Sequence, residues 1–193
     1  MSLANIFTAS RIVLSPVFLL FFFLPEYIGI NALVYVIILW LLFIYMELSD
    51  LFDGMAARAT NSVSDFGKIF DPFGDVVSRM TYFLCFTVMG IMHVFVFAIL
   101  MYREFIILFM RILAMRKGFA MGARLGGKLK AWAYAFAGIF GLIYVSVIKT
   151  GYFLAYSEQI LFIAQIFFVL SAVAALLSLT DYLLSLKKNV FNK

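Results

Sequence analysis

Ser49-Asp50-Leu51-Phe52-Asp53-Gly54-Met55-Ala56-Ala57-Arg58 is followed, eight residues later, by Gly67-Lys68-Ile69-Phe70-Asp71-Pro72-Phe73-Gly74-Asp75. Four carboxylates thus stand at the ends of two long apolar runs. An ionisable side chain inside a membrane segment costs at least about 2.5 kcal/mol at its centre. Four of them close together also repel one another, so the cluster makes physical sense when cations neutralise it. Asp50 and Asp53 are three residues apart and Asp71 and Asp75 four apart, spacings that put each pair on one face of a helix. The short connection from Ala59 to Ser64 predicts two antiparallel neighbouring helices on which the four carboxylates converge. Such hard oxygen ligands suit magnesium or manganese, which carboxylates usually share with substrate phosphates. Two metals there would hold the attacking and leaving oxygens of a phosphoryl transfer.

Small residues share these faces. Gly54 and Ala57 lie on the side of Asp50 and Asp53 and leave a groove for a nucleotide, and Gly67 does the same on the facing helix. Arg58 offers a forked donor to a phosphate.

The rest of the 193-residue chain explains why the runs are apolar. Hydrophobic residues make up 66% of it and Phe alone accounts for 24 positions. A soluble domain averages roughly half apolar residues, and this excess exceeds what a water-covered core can hide. The expectation is an all-α integral membrane protein forming a single domain over residues 1–193. About six runs are long enough to span, each needing about 20 residues. They are Arg11 to Leu24, Asn31 to Arg58, Asp65 to Met92, Val94 to Met115, Lys130 to Ile148, and Glu158 to Leu186. Pro25 and Glu26 open a loop. Met1 to Ser10 is too short to span; it reads either as an amphipathic interfacial entry helix, through Ile6 and Phe7, that continues the first run backwards, or equally as a disordered start. No cleavable signal is expected, because the first apolar run leads directly into more membrane protein.

Charge sets the orientation. Arg58, Lys68, Arg116, Lys117, Arg124, Lys128, Lys130, Lys187, Lys188 and Lys193 fall on one side, against Glu26, His93, Lys149 and Glu158 on the other. The positive-inside rule puts both termini and the basic loops in the cytoplasm. The net charge of +5 reads as attraction to the anionic leaflet, and nucleic acid is not expected as a partner. The single cysteine, Cys85, reads as a small buried hydrophobe.

The acidic run resembles the signature of the CDP-alcohol phosphotransferase family, D-x-x-D-G-x-x-A-R, eight residues, then G-x-x-x-D-x-x-x-D. Asp50, Asp53, Gly54, Ala57, Arg58, Gly67, Asp71 and Asp75 fill it without departure. The resemblance implies attack of an alcohol on the β-phosphate of a CDP-linked lipid, with CMP leaving. It implies two divalent metals, Mg2+ or Mn2+, on Asp50, Asp53, Asp71 and Asp75, with Asp75 also the base. It implies CDP contacts from Asp50, Asp53, Gly54, Ala57, Arg58, Gly67 and Asp71. It further implies a homodimer in a bacterial inner membrane, with the active site facing the cytoplasm.

Three other stretches bear on the acceptor. Asn5-Ile6-Phe7-Thr8 with Arg11 and Pro16 resembles the opening of bacterial phosphatidylglycerophosphate synthases. Arg103-Glu104-Phe105 followed by Arg111, and Gly127-Lys128-Leu129-Lys130, are similar to further segments of those enzymes. Arg103 and Arg111 are a little over two helical turns apart and point to roughly one side. Arginine binds phosphate through two parallel bonds, so Arg103, Arg111, Lys128 and Lys130 are the candidate ligands for the phosphate of glycerol 3-phosphate, with CDP-diacylglycerol as donor. Pairing of Arg103 with Glu104, and plain membrane anchoring by the lysines, are the alternative readings. One position departs: those synthases commonly carry a lysine directly after the last aspartate, where Val76 stands, and Arg79 a turn later replaces it in part. Glu47, a turn from Asp50, suits a supporting position, and no role is assigned to Asp181. Other acceptors (phosphatidylglycerol, inositol phosphate, serine or a choline-type reaction) and a divalent-cation transporter remain as alternatives. The transporter is disfavoured because the acids cluster at one end rather than running through the membrane.

Overall fold

In the computed structural model, which describes residues 3–59, 67–116 and 125–186, the described chain is helical and contains no strand. The helices are α1 (Leu3–Phe23), α2 (Pro25–Ile28), α3 (Ala32–Ala59), α4 (Gly67–Val88), α5 (Val94–Arg116), α6 (Leu125–Thr150) and α7 (Ser157–Leu186), with a 3-10 turn at Leu154–Tyr156 before α7. Four are apolar and long enough to cross a membrane, over Asn5–Phe23, Ala32–Ser49, Leu129–Thr150 and Leu154–Leu184. The other two long ones, α4 and α5, have the length as well but carry Asp71, Asp75, Arg79, Arg103, Glu104 and Arg111. The protein is therefore a membrane protein, with six long helices among the described residues.

Helix ends follow local chemistry. Asn31 caps α3, its Oδ1 accepting from Leu33 N at 2.9 Å, as an N-cap side chain does. Gly90 ends α4: with φ +74°, its N–H reaches Thr87 O and Ile91 N–H reaches Phe86 O. That pair of bonds is a Schellman motif, which a glycine completes without steric cost. The expected third span accordingly stops at Val88 rather than at Met92. Residues 3–10 form the first turns of α1 and extend the first span backwards from Arg11. The stretch read as a loop at Pro25 and Glu26 forms the single turn α2, and the fifth span starts at Leu125 rather than Lys130.

The helices close a ring in the order α1, α3, α6, α7, α5, α4 and back to α1. Among the described residues α3 and α4 meet at few points, and α1 packs along both. α4 also touches α6 across the ring, which makes it the most enclosed helix, with Tyr82, Phe83, Cys85 and Phe86 fully buried. The core is largely aromatic. Tyr82 meets Phe43 and Phe83 edge-on with centroids 5.2 and 4.8 Å apart, and Phe83 meets Tyr134 and Phe168 at 5.5 and 5.6 Å, within the range where such pairs attract. Room for these rings comes from α6. A Cβ on Gly138 would lie 2.8 Å from the Phe43 ring, and one on Gly141 would lie 2.9 Å from the Phe86 ring. Hydrogen bonds pin the ring at Tyr35 Oη to Phe22 O (2.9 Å) and Trp40 Nε1 to Ser146 Oγ (3.0 Å). The outward faces of α1, α3, α5 and α7 carry exposed Leu, Ile, Val and Phe, as a lipid-solvated surface requires.

Candidate active site

The acidic motif lies where α3 ends and α4 begins. Asp50, Asp53, Gly54, Ala57 and Arg58 occupy the last turns of α3; their side chains, and that of Lys128, lie outside the described residues, as does the connection from 60 to 66. Gly67 is the first residue of α4. Asp71 and Asp75 follow on one face of α4, and a single buried cation from another helix meets both. Arg11 of α1, 1% exposed, places Nη2 3.0 Å from Asp71 Oδ1 and Nη1 2.8 Å from Asp75 Oδ1. The two carboxylates remain 43% and 24% exposed, so a ligand can still approach them.

Gly74 makes this crossing possible. It faces α1 between the two aspartates, and a Cβ there would lie 2.7 Å from Thr8 Cγ2 and 3.6 Å from the Arg11 guanidinium. With only hydrogen at that position, α1 closes on α4 and Arg11 reaches both acids.

A second layer of charge continues inward. Arg79, buried, stands 3.9 Å from Asp75 Oδ2 and 3.8 Å from Glu47 Oε1, and Glu47 accepts a 3.0 Å hydrogen bond from Tyr82 Oη. Glu47 thus joins the motif indirectly, through Arg79.

Beside Asp75 is a cavity of about 220 Å³. Its polar lining comes from α4 (Asp75, Arg79), α5 (Arg103, Glu104, Arg111) and α6 (Lys130), with Val76 and Tyr182 among the other walls. Four cations face two carboxylates there, so the cavity favours an anion. The three described candidates for acceptor phosphate, Arg103, Arg111 and Lys130, therefore share one chamber with Asp75. Each is also held by protein. Glu104 accepts from Arg103 Nη1 at 3.0 Å, from Lys130 Nζ at 2.8 Å and from Tyr134 Oη at 2.9 Å. Arg103 Nη2 donates to Ser178 Oγ at 2.6 Å. Arg111 Nη2 donates to Tyr182 Oη at 3.3 Å. The pairing of Arg103 with Glu104 therefore exists and coexists with a place in the cavity wall. In a low-dielectric interior such a network fixes its members only when each charge is answered, and Glu104 answers two.

Sequence reasoning assigned no site role to Arg11, Glu104, Tyr134, Ser178 or Tyr182. Arg11 carried a signal, an arginine inside an otherwise apolar span, which is rarely without a partner. The tyrosines and the serine carried none, because they are unexceptional in an aromatic-rich membrane chain.

A divalent metal fits the described part of this site. Asp71 and Asp75 present carboxylate oxygens on one face, already drawn together by a cation. Among the described residues there is no group of three or more His, Cys, Asp or Glu placed to hold a metal; the other two motif aspartates are those whose side chains lie outside them.

Comparison with known proteins agrees with the motif. The model of the CDP-alcohol phosphatidyltransferase family matches residues 1–176. The chain is 37% identical over 144 residues to the CDP-diacylglycerol–glycerol-3-phosphate 3-phosphatidyltransferase of Treponema pallidum, over 74% of this chain and 67% of that protein. It is 32% identical over 142 residues to a probable phosphatidylglycerophosphate synthase of Mycobacterium tuberculosis, over 73% and 66%. It is 28% identical over 146 residues to the Bacillus subtilis enzyme of the same name as that of Treponema, over 70% and 74%. These alignments span about two thirds of the length of the first two relatives.

Proposed function

The chain belongs to the CDP-alcohol phosphatidyltransferase family, and from that premise we propose that it transfers the phosphatidyl group of CDP-diacylglycerol to sn-glycerol 3-phosphate, forming phosphatidylglycerophosphate and releasing CMP. The observation that carries the choice of acceptor is the cationic cavity beside Asp75. An uncharged alcohol has no use for Arg79, Arg103, Arg111 and Lys130 on one wall. A phosphate ester does, because charge-assisted bonds from guanidinium are the strong ones.

In this reading Asp50, Asp53, Asp71 and Asp75 would hold two Mg2+ or Mn2+ ions, and members of the family generally use divalent metals. When bound, the metal offsets charge on the pyrophosphate and on the leaving CMP. Gly54, Ala57, Arg58 and Gly67, with Asp50, Asp53 and Asp71, line the place of the cytidine diphosphate. Arg103, Arg111, Lys128 and Lys130 take the acceptor phosphate and aim its free hydroxyl at Asp75. Asp75 takes the hydroxyl proton, the new bond forms from that oxygen to the β-phosphorus, and the bond from the β-phosphorus to the CMP oxygen breaks. Arg79, next to Asp75 and Val76, supplies the positive charge that a lysine at position 76 would bring.

The same reading makes residues 1–193 one catalytic domain, working as a homodimer in the inner membrane with the site toward the cytoplasm. The basic residues at the helix ends nearest the site support that orientation.

An acceptor panel tests the proposal. Purified protein given CDP-diacylglycerol and Mg2+ is expected to release CMP with glycerol 3-phosphate, and not with serine, inositol phosphate or phosphatidylglycerol. Release with one of the others alone would reject the acceptor.

A further inference from the structure

Arg11 belongs to none of the roles assigned above, yet among the described residues it is the most deeply buried charge beside the motif. Its side chain is 1% exposed and comes from a helix that carries no motif residue. Burying an arginine in a membrane protein is costly unless its charge is answered. Here two acids answer it, one guanidinium nitrogen to each, at 3.0 and 2.8 Å. Both contacts fall on the Oδ1 atom of their carboxylate, a hydrogen bond at Asp71 and a close ion pair at Asp75, so one guanidinium bears on two side chains one helical turn apart. The fork is itself held. Thr8, one turn before Arg11, seats against Gly74, between the two acids, at a distance that leaves no room for a Cβ.

We infer that Arg11 is a positioning residue for the metal ligands. It clamps one oxygen of Asp71 and one of Asp75, turns both carboxylates toward the ion, and stays in place when the ion binds. This rests on the proposed metal site and adds a part to it that lies outside the acidic motif. A planar fork does this where a point charge does not, because two fixed nitrogens meet two oxygens at once. Groups that orient metal ligands typically contribute 10–100-fold to metal affinity.

The experiment is a titration of the full-length protein, in neutral detergent, with Mn2+ followed by electron paramagnetic resonance. Helix content by circular dichroism and a monodisperse elution profile are checked for each variant. The parent should bind Mn2+ and Asp71→Asn should weaken or abolish that binding. Arg11→Gln is expected to weaken Mn2+ binding by 10-fold or more. Arg11→Lys, which keeps the charge and loses the fork, should fall between the two. Gly74→Ala alters no charge but pushes Thr8 and Arg11 away, and should also weaken binding. If Arg11→Gln fails to fold, Arg11→Lys and Gly74→Ala decide the matter. Folded variants that bind Mn2+ as tightly as the parent, or more tightly, overturn the inference while leaving the metal site standing. A parent that binds no Mn2+, or binds it regardless of Asp71, overturns the metal site and the inference with it.

Discussion

Glu104 accepts bonds from Arg103, Lys130 and Tyr134, and so ties α5 to α6 at the wall of the cationic cavity beside Asp75. Removing one member of a buried ion cluster costs about 3–5 kcal/mol, because the partners keep their charge and lose its answer. Glu104→Gln is expected to lower thermal stability in detergent and to raise the KM for glycerol 3-phosphate. Arg111 is tied less tightly, by one 3.3 Å bond to Tyr182. Arg111→Ala should therefore leave stability near the parent and act on the acceptor. A bond to a charged group contributes about 1.5–3 kcal/mol, so the KM for glycerol 3-phosphate should rise roughly 10- to 100-fold while that for CDP-diacylglycerol stays near its parent value. At Asp75 the change is chemical. Asp75→Asn preserves volume and removes the proposed base, and CMP release should fall to background while helix content is retained.

At the scale of the helix, glycines decide how closely α6 approaches the rings around it and α4 approaches α1. Gly138→Ala pushes a Cβ into the Phe43 ring, and overpacking of this kind costs about 1–3 kcal/mol. A thermal unfolding series in detergent should show that loss, with Gly29→Ala acting through its positive φ alone. The helices themselves were legible in the sequence because apolar runs and their charged ends are local signals. The paired aspartates were legible for the same reason, since spacings of three and four fix a shared face. Arg11 was not, because its partners lie 60 and 64 residues away and the meeting depends on how α1 crosses α4 at Gly74. The place of Glu104 was half legible. Its neighbour Arg103 suggested a pair, but the contribution of Lys130 and Tyr134 depends on long side chains of α6 reaching across the ring to α5. The last residues of α4 were misjudged because an apolar run continues through Ile91 and Met92, while a glycine in a left-handed conformation ends the helix before them.

For the whole molecule, stability and chemistry reside in different places. The aromatic core around Tyr82, Phe83, Phe86 and Phe168 lies along the middle of the ring of helices, whereas the acids sit at one end of it. Chelation of divalent metal is expected to stop CMP release and leave helix content unchanged by circular dichroism, with activity restored by Mg2+ or Mn2+. Unfolding on chelation would contradict that separation.

Ser178 and Tyr182, which grip Arg103 and Arg111, both belong to the final turns of α7, beyond residue 176, where the match to the family model stops. The fork on Asp71 and Asp75 thus lies within the span matched by the family model, while the grip on Arg103 and Arg111 comes from α7 residues just outside it. Exchanging residues 177–186 between relatives is therefore expected to change the KM for the acceptor under the proposed reading and to leave the Arg11 contacts with Asp71 and Asp75 as they stand.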